Sequence, residues 1–258
     1  MMEIRILGAH SAEAKGMRMP SLVVDGVLAL DAGGLTSSLS LSEQQKVKVI
    51  LLTHHHFDHT RDLLTFGFNG GMFSSPVEVY ALSQTLDIIN SCLLDGRIYV
   101  DFSTWPSQEK PFLQLKTIEP FREMIIANYE VLAVPVHHSV PAIGYQVTSE
   151  NGSSLFYTGD TGPWLLNCWE YTSPQLLVIE VTVPNRLEEF AKNVGHMTAR
   201  LLKEELIQFR QIKDYLPRVV VVHIAPYYQN EIEQELKDVA QELKANIDMG
   251  YEDMQISL

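Results

Sequence analysis

Residues 47–60 read VKVILLTHHHFDHT, and the reading of this stretch decides that of the whole chain. VKVILLT is a short, unbroken apolar run rich in β-branched residues, the pattern of a strand buried on both faces. It delivers the chain directly into four of its nine histidines and an aspartate, all within positions 54–59. In extended backbone His54 and His56 project to one side and His55 to the other. Asp58 and His59 then open a helix expected around Thr60–Phe66 and point from its first turn toward the same cavity. Imidazole and carboxylate are ordinary ligands of zinc and its neighbours. His54, His56, Asp58 and His59 therefore make a candidate ligand set for two ions, with His55 and Phe57 as structural neighbours. A solvated histidine-rich loop would not follow a buried strand so directly.

Working outward, EIRILG, SLVVDG and VLALDAGG predict strands near the start, broken by Gly and Asp turn signals, and LSLSEQQKV predicts a helix. Beyond the cluster, PVEVYA reads as a strand, SQTLDIINSCLL as a helix and WPSQEKP as a loop. YEVLAVPVHHS, AIGYQVTS and SSLFYTGD follow as strands. The second half repeats the first in outline, with strands LLVIEVTV and RVVVVHIAP and helices MTARLLKEELIQF and NEIEQELKDVAQELK. Nothing in the composition marks a linker, so residues 1–258 are expected to form one domain with sheets at the centre and helices outside.

The chain is 46% hydrophobic, ample for a large core, yet no segment approaches the ~20 apolar residues that span a bilayer. No basic stretch followed by an apolar run opens the sequence, and a cytoplasmic location with no membrane partner is expected. Cys92 and Cys168 are widely separated, which argues against a disulfide framework or a cysteine zinc site. A net charge of −13 makes broad binding to nucleic acid phosphates improbable and suits a small substrate better. Bound cations would nonetheless raise the potential inside a cleft.

The series Thr53-His54-x-His56-x-Asp58-His59 resembles the signature of the metallo-β-lactamase fold. The resemblance implies an α+β, four-layer αββα sandwich, two mixed β-sheets flanked by helices, with a two-metal site at the edge between the sheets. It also implies further ligands at later strand ends: His138 in VPVHHSVPAIGY, Asp160 in FYTGDTG and His223 in VVVVHIAP. By this carry-over His54, His56 and His138 hold one ion, Asp58, His59 and His223 hold the second, and Asp160 bridges them. Asp31, in LALDAGG, matches a position that braces the metal loop. His10 is assigned no role.

Two such ions, zinc first with manganese or iron also compatible, favour hydrolysis at phosphorus with a hydroxide between the metals as nucleophile. Asp58 belongs to that catalytic centre as well as to the ligand set. The leaving alkoxide needs a proton from outside the metal shell. His196, before the helical pattern of MTARLLKEEL, is the candidate donor, and Glu180, at a strand end, could orient it. His59, His196 and HSVPAIGY are similar to the phosphodiesterase branch, which contains tRNase Z and the class II cyclic nucleotide phosphodiesterases. tRNase Z typically has Gly where this chain has Phe57, and many bacterial forms carry a tRNA-gripping arm where this chain has only the hairpin VTSENGSSLFYT. IEVTVPN and the following stretch to Gly195-His196 are similar to the cyclic nucleotide enzymes, although Thr182 and Val183 replace the usual Ser-Phe pair. Asp62 stands where Gly is common, at the expected cleft floor. The expected partner is thus a small or cyclic nucleotide phosphodiester. An RNA 3′-processing endonuclease is the alternative, a non-catalytic metal- or nucleotide-binding protein the second, and a homodimer is possible.

Overall fold

The computed structural model describes residues 1–71 and 75–258. One sheet contains β1 (Glu3–Gly8), β2 (Ser21–Val24), β3 (Leu28–Leu30), β4 (Val49–Leu51), β5 (Val77–Ala81), β6 (Leu113–Thr117) and β14 (Gln255–Ser257), in the spatial order β14-β1-β2-β3-β4-β5-β6. The other contains β7 (Glu123–Ile126), β8 (Tyr129–Val136), β9 (Ala142–Thr148), β10 (Ser154–Tyr157), β11 (Leu176–Glu180), β12 (Arg218–Val222) and β13 (Ile247–Met249), in the order β13-β12-β11-β10-β9-β8-β7. Both sheets are mixed. β3 to β6 run parallel in the first, β10 to β13 run parallel in the second, and the remaining pairs are antiparallel.

Alternation along the strands builds three cores. Ile4, Leu22, Leu30 and Leu51 of the first sheet meet Val131, Tyr145, Val178 and Val220 of the second. The intervening residues Val219, Val221, Leu177 and Ile179 face α6 (Leu166–Tyr171), α7 (Glu188–Val194), α8 (Ala199–Lys213) and α9 (Gln229–Leu243). Val23, Ala29, Ile50 and Val79 pack in turn under α1 (Leu35–Ser38), α2 (Leu41–Gln44), α4 (Asp62–Gly71) and α5 (Ser83–Ile88). The result is helix, sheet, sheet, helix. It also explains why so many strands read as unbroken apolar runs: both faces are covered, and each large aliphatic side chain so buried contributes about 1.5–3 kcal/mol.

The helix expected around Thr60–Phe66 begins earlier, as α3 (Phe57–Thr60), and breaks at Arg61 before α4. The break has a tertiary cause: the Asp62 N–H donates to the Ala32 carbonyl at 2.8 Å instead of continuing the helical ladder. The helix expected in LSLSEQQKV is confined to α2, held by a capping box between Ser40 and Glu43. That of SQTLDIINSCLL passes from α5 into a π-helical turn over Ile89–Leu93. Crossovers between parallel strands return the chain so that β3, β4, β10, β11 and β12 all end at one edge of the sandwich, where ligands bind in sheets of this kind.

Candidate metal centre

Six strand ends deliver the polar side chains to that edge. Asp31 follows β3, His54 to His59 follow β4, His138 follows β8, Asp160 follows β10, Glu180 ends β11 and His223 follows β12. The structure brings the seven expected ligands into two sets. His54, His56, His138 and Asp160 form one, and Asp58, His59, Asp160 and His223 the other, with the ligand atoms of each set within 4.8 Å of one another. Asp160 belongs to both. Its Oδ2 lies 3.8 Å from His54 Nε2, 3.9 Å from His138 Nε2 and 3.3 Å from His223 Nε2, and its Oδ1 lies 3.0 Å from His59 Nε2. Asp58 Oδ2 stands 3.2 Å from His223 Nε2.

The outer ring nitrogens decide what the inner ones present. His59 Nδ1 meets Asp31 Oδ2 at 2.7 Å, His138 Nδ1 meets the Gly195 carbonyl at 2.8 Å, and His223 Nδ1 meets Thr182 Oγ1 at 2.6 Å. Thr182 in turn donates to Glu180 Oε2 and Thr53 to Asp31, so each threonine oxygen is left to accept from His223 and His54 respectively. With the proton on Nδ1, His54 and His59 point bare Nε2 lone pairs inward, while His138 Nε2 lies 3.2 Å from His56 Nδ1 and His223 Nε2 lies 3.2 Å from Asp58 Oδ2.

That arrangement is costly unless something positive sits within it. His54 Nε2, His59 Nε2 and Asp160 Oδ1 are buried without a hydrogen-bond partner. His59 Nε2 approaches Asp160 Oδ1 at 3.0 Å without the alignment of a hydrogen bond. Each unmade bond costs about 1–3 kcal/mol. Burial would raise Asp160, but His223 and His59 beside it hold the carboxylate well below its usual range. Burial and the neighbouring His59 push His54 well down, toward the neutral form that ligates. Five imidazoles and two carboxylates converging in this way fit divalent zinc, manganese or iron.

Backbone strain marks the same place. Asp31 (φ 58°) and His223 (φ 57°) occupy the left-handed region although neither is glycine, at a cost of about 1–3 kcal/mol each. Gly195 (φ 75°) also lies there, and a Cβ on it would stand 2.8 Å from His138 Cα, so only glycine lets its carbonyl reach His138.

His196 lies between α7 and α8, ahead of the N-cap Thr198. Its ring stacks on His223 and meets His138 edge-on, both at 5.2 Å between centroids. It thus touches one imidazole from each set. His196 Nδ1 is 2.7 Å from Glu180 Oε1. Glu180 is fully buried and also accepts from Thr161 N, Met197 N and Thr182 Oγ1. Four partners saturate its oxygens, which makes it an orienting group with no lone pair left for an ion. Burial would lower the His196 pKa, but the Glu180 carboxylate raises it to about 9.

One expectation requires correction. Asp62 is buried away from the cleft, where its carboxylate accepts from the Thr36 backbone at 2.7 Å and from Arg61 at 3.0 Å, so it braces the start of α1. Phe57, set between the ligands, is 62% exposed. Thr182, which stands in place of the usual Ser, is buried and tethers His223, a role that the identity of a single threonine does not announce.

Residues 22–224 match the family described as the beta-lactamase superfamily domain. The chain belongs to the β-lactamase superfamily. This superfamily member is 29% identical over 169 residues to Ribonuclease Z of Thermosynechococcus vestitus, covering 60% of this chain and 39% of that protein. It is 29% identical over 155 residues to Ribonuclease Z of Methanococcus maripaludis, covering 56% of this chain and 48% of that one. The matched segments thus span less than half the length of these curated relatives. Among solved structures it resembles yeast PDE1 (TM-score 0.85, 17% identity, 100% and 99% of the two chains) and the metallo-beta-lactamase fold protein YhfI from Bacillus subtilis (TM-score 0.81, 13% identity, 100% of both chains). The superfamily member therefore has the metallo-β-lactamase fold.

Proposed function

We propose that the protein is a two-metal hydrolase of phosphodiesters. The observation that carries this reading is the pair of four-ligand sets sharing Asp160, with His196 in ring contact with both. Divalent cations held by His54, His56, His138, Asp58, His59, His223 and Asp160 would supply Lewis acidity and bring the pKa of water from ~15.7 toward about 7. The chain's own residues do the rest. Asp31, Thr53, Thr182 and the Gly195 carbonyl hold the imidazoles in the ligating tautomer. Glu180 fixes His196 through Nδ1, so that its Nε2 carries the transferable proton. The Glu180 carboxylate 2.7 Å away favours the protonated imidazole, from which a leaving alkoxide can take the proton. A purely structural metal site has no use for this Glu180–His196 pair.

The curated relatives named Ribonuclease Z support an RNA 3′-processing endonuclease, which moves that reading ahead of the small cyclic nucleotide favoured by the motifs. Two observations keep the cyclic nucleotide as a second reading. β9 and β10 are joined only by residues 149–153, a connection too short for an RNA-gripping arm, and the chain carries a net charge of −13. Precursor tRNA and cyclic AMP assayed side by side at matched metal loading separate the two. Cleavage of the RNA at its 3′ side supports the first, and turnover of cyclic AMP alone supports the second. Turnover of neither, nor of bis-p-nitrophenyl phosphate, by fully metallated protein overturns the phosphodiesterase reading.

A further inference from the structure

The loop after Asp160 holds a large aromatic side chain in the open. Trp164 is 63% exposed and its φ is 77°, a region that bulky residues strongly disfavour. The strain is fastened from both sides. Thr161 N donates to Glu180 and Gly162 N donates to the His137 carbonyl, tying the start of the loop to the metal centre. At its other end Trp164 N and Leu165 N donate to Glu205, a carboxylate only 2% exposed, which also accepts from Trp169 Nε1. The Trp164 ring meets the His137 ring at 4.6 Å and nearly at right angles, so the indole is propped in position beside the ligand His138 while much of it stays uncovered. Phe57 is equally exposed but sits in ordinary helical backbone with no comparable fastening.

We propose that Trp164 determines specificity by serving as the platform on which a nucleobase of the substrate stacks. The proposal rests on the phosphodiesterase reading and names the substrate class of the same site. It answers a question raised by charge: with 32 acidic against 19 basic residues, the surface gathers phosphates poorly. Stacking needs no countercharge, tolerates any base and is carried by a rigid, exposed aromatic face.

The test compares metal-loaded wild type, Trp164→Ala and Trp164→Phe on two esters with the same leaving group, thymidine 5′-(p-nitrophenyl phosphate) and methyl p-nitrophenyl phosphate. The preference in kcat/KM for the thymidine ester is expected to fall about tenfold in Trp164→Ala, through KM, and to be largely retained in Trp164→Phe. Equal loss on both esters, or an unchanged preference, overturns the proposal. A second arm is independent of turnover: thymidine 5′-monophosphate should quench wild-type tryptophan fluorescence, and the quench should vanish in Trp164→Phe while thermal unfolding stays the same. A wild type that hydrolyses neither ester but shows this quench has lost the reaction assignment and kept the platform. Absence of the quench overturns the platform even if hydrolysis is observed. Repeating the titration with cyclic AMP and with a short single-stranded oligoribonucleotide identifies whether a mononucleotide or an RNA end supplies the base.

Discussion

Glu180 Oε1 and His196 Nδ1 stand 2.7 Å apart, joining a carboxylate with no solvent exposure to the one imidazole that contacts both ligand sets without belonging to the seven. The pair separates proton delivery from metal binding. His196→Ala is expected to lower kcat by about 10²–10⁴ on an alkyl phosphodiester, whose leaving group needs a proton, and by far less on a p-nitrophenyl ester. Glu180→Gln should fall between wild type and His196→Ala. Steady-state kinetics on the two ester types decide the matter, and an equal loss on both would remove the general-acid assignment.

Thr182 makes a second separation possible. Its hydroxyl links His223 Nδ1 to Glu180, both at 2.6 Å, and touches no other expected ligand. Thr182→Val keeps the shape and removes the tether, so affinity for the second metal should drop about 10- to 100-fold with little change at the first. Metal-binding calorimetry on the variant checks this: equal weakening at both sites would contradict it.

Far more of this centre was legible in the sequence than of the structure around it, for a physical reason. Ligands follow buried strands whose apolar runs are conspicuous, so His54, His138, Asp160 and His223 stand at visible strand ends. The edge strands β6, β7, β13 and β14 escaped notice because they are short and partly exposed, and their alternation is faint. Helix breaks such as that at Arg61 depend on a partner thirty residues away, Ala32, which no local pattern encodes. The tethers Thr53, Thr182 and the Gly195 carbonyl were silent for the same reason, since a hydroxyl or a backbone carbonyl is unremarkable until the fold supplies the imidazole. Asp62 shows the converse error, a carboxylate near the motif in sequence but turned toward Thr36 in space.

His10, which the metal centre does not use, carries a pH dependence of its own. It is buried, with Nδ1 2.6 Å from Glu252 Oε1 and Nε2 3.1 Å from Gln229 Oε1. Burial alone would lower its pKa, but the Glu252 carboxylate raises it above the usual 6.5. Burial would raise Glu252, yet its bonds to His10 and the Arg18 backbone hold it below the usual 4.5. The histidine's contribution to stability is therefore complete below its ordinary pKa and lost as pH rises through the elevated value. That of Glu252 is present above its ordinary pKa and lost as pH falls through the depressed one. The difference in melting temperature between wild type and His10→Gln should be several degrees at about pH 6, at about 2–4 °C per kcal/mol, and shrink steadily toward pH 9. A difference that stays constant or grows over that range would contradict the charged pair.

The most direct measurement is the metal stoichiometry of chelator-stripped protein titrated with zinc or manganese, read by calorimetry and by elemental mass spectrometry after gel filtration, for wild type and Asp160→Ala. Because Asp160 is shared by both ligand sets, wild type should saturate at two ions per chain, and the variant should weaken at both sites and lose phosphodiester hydrolysis by about 10³-fold or more. Saturation of wild type at one ion or none, or an Asp160→Ala chain that still binds two ions tightly, would contradict the shared centre on which the proposed chemistry depends.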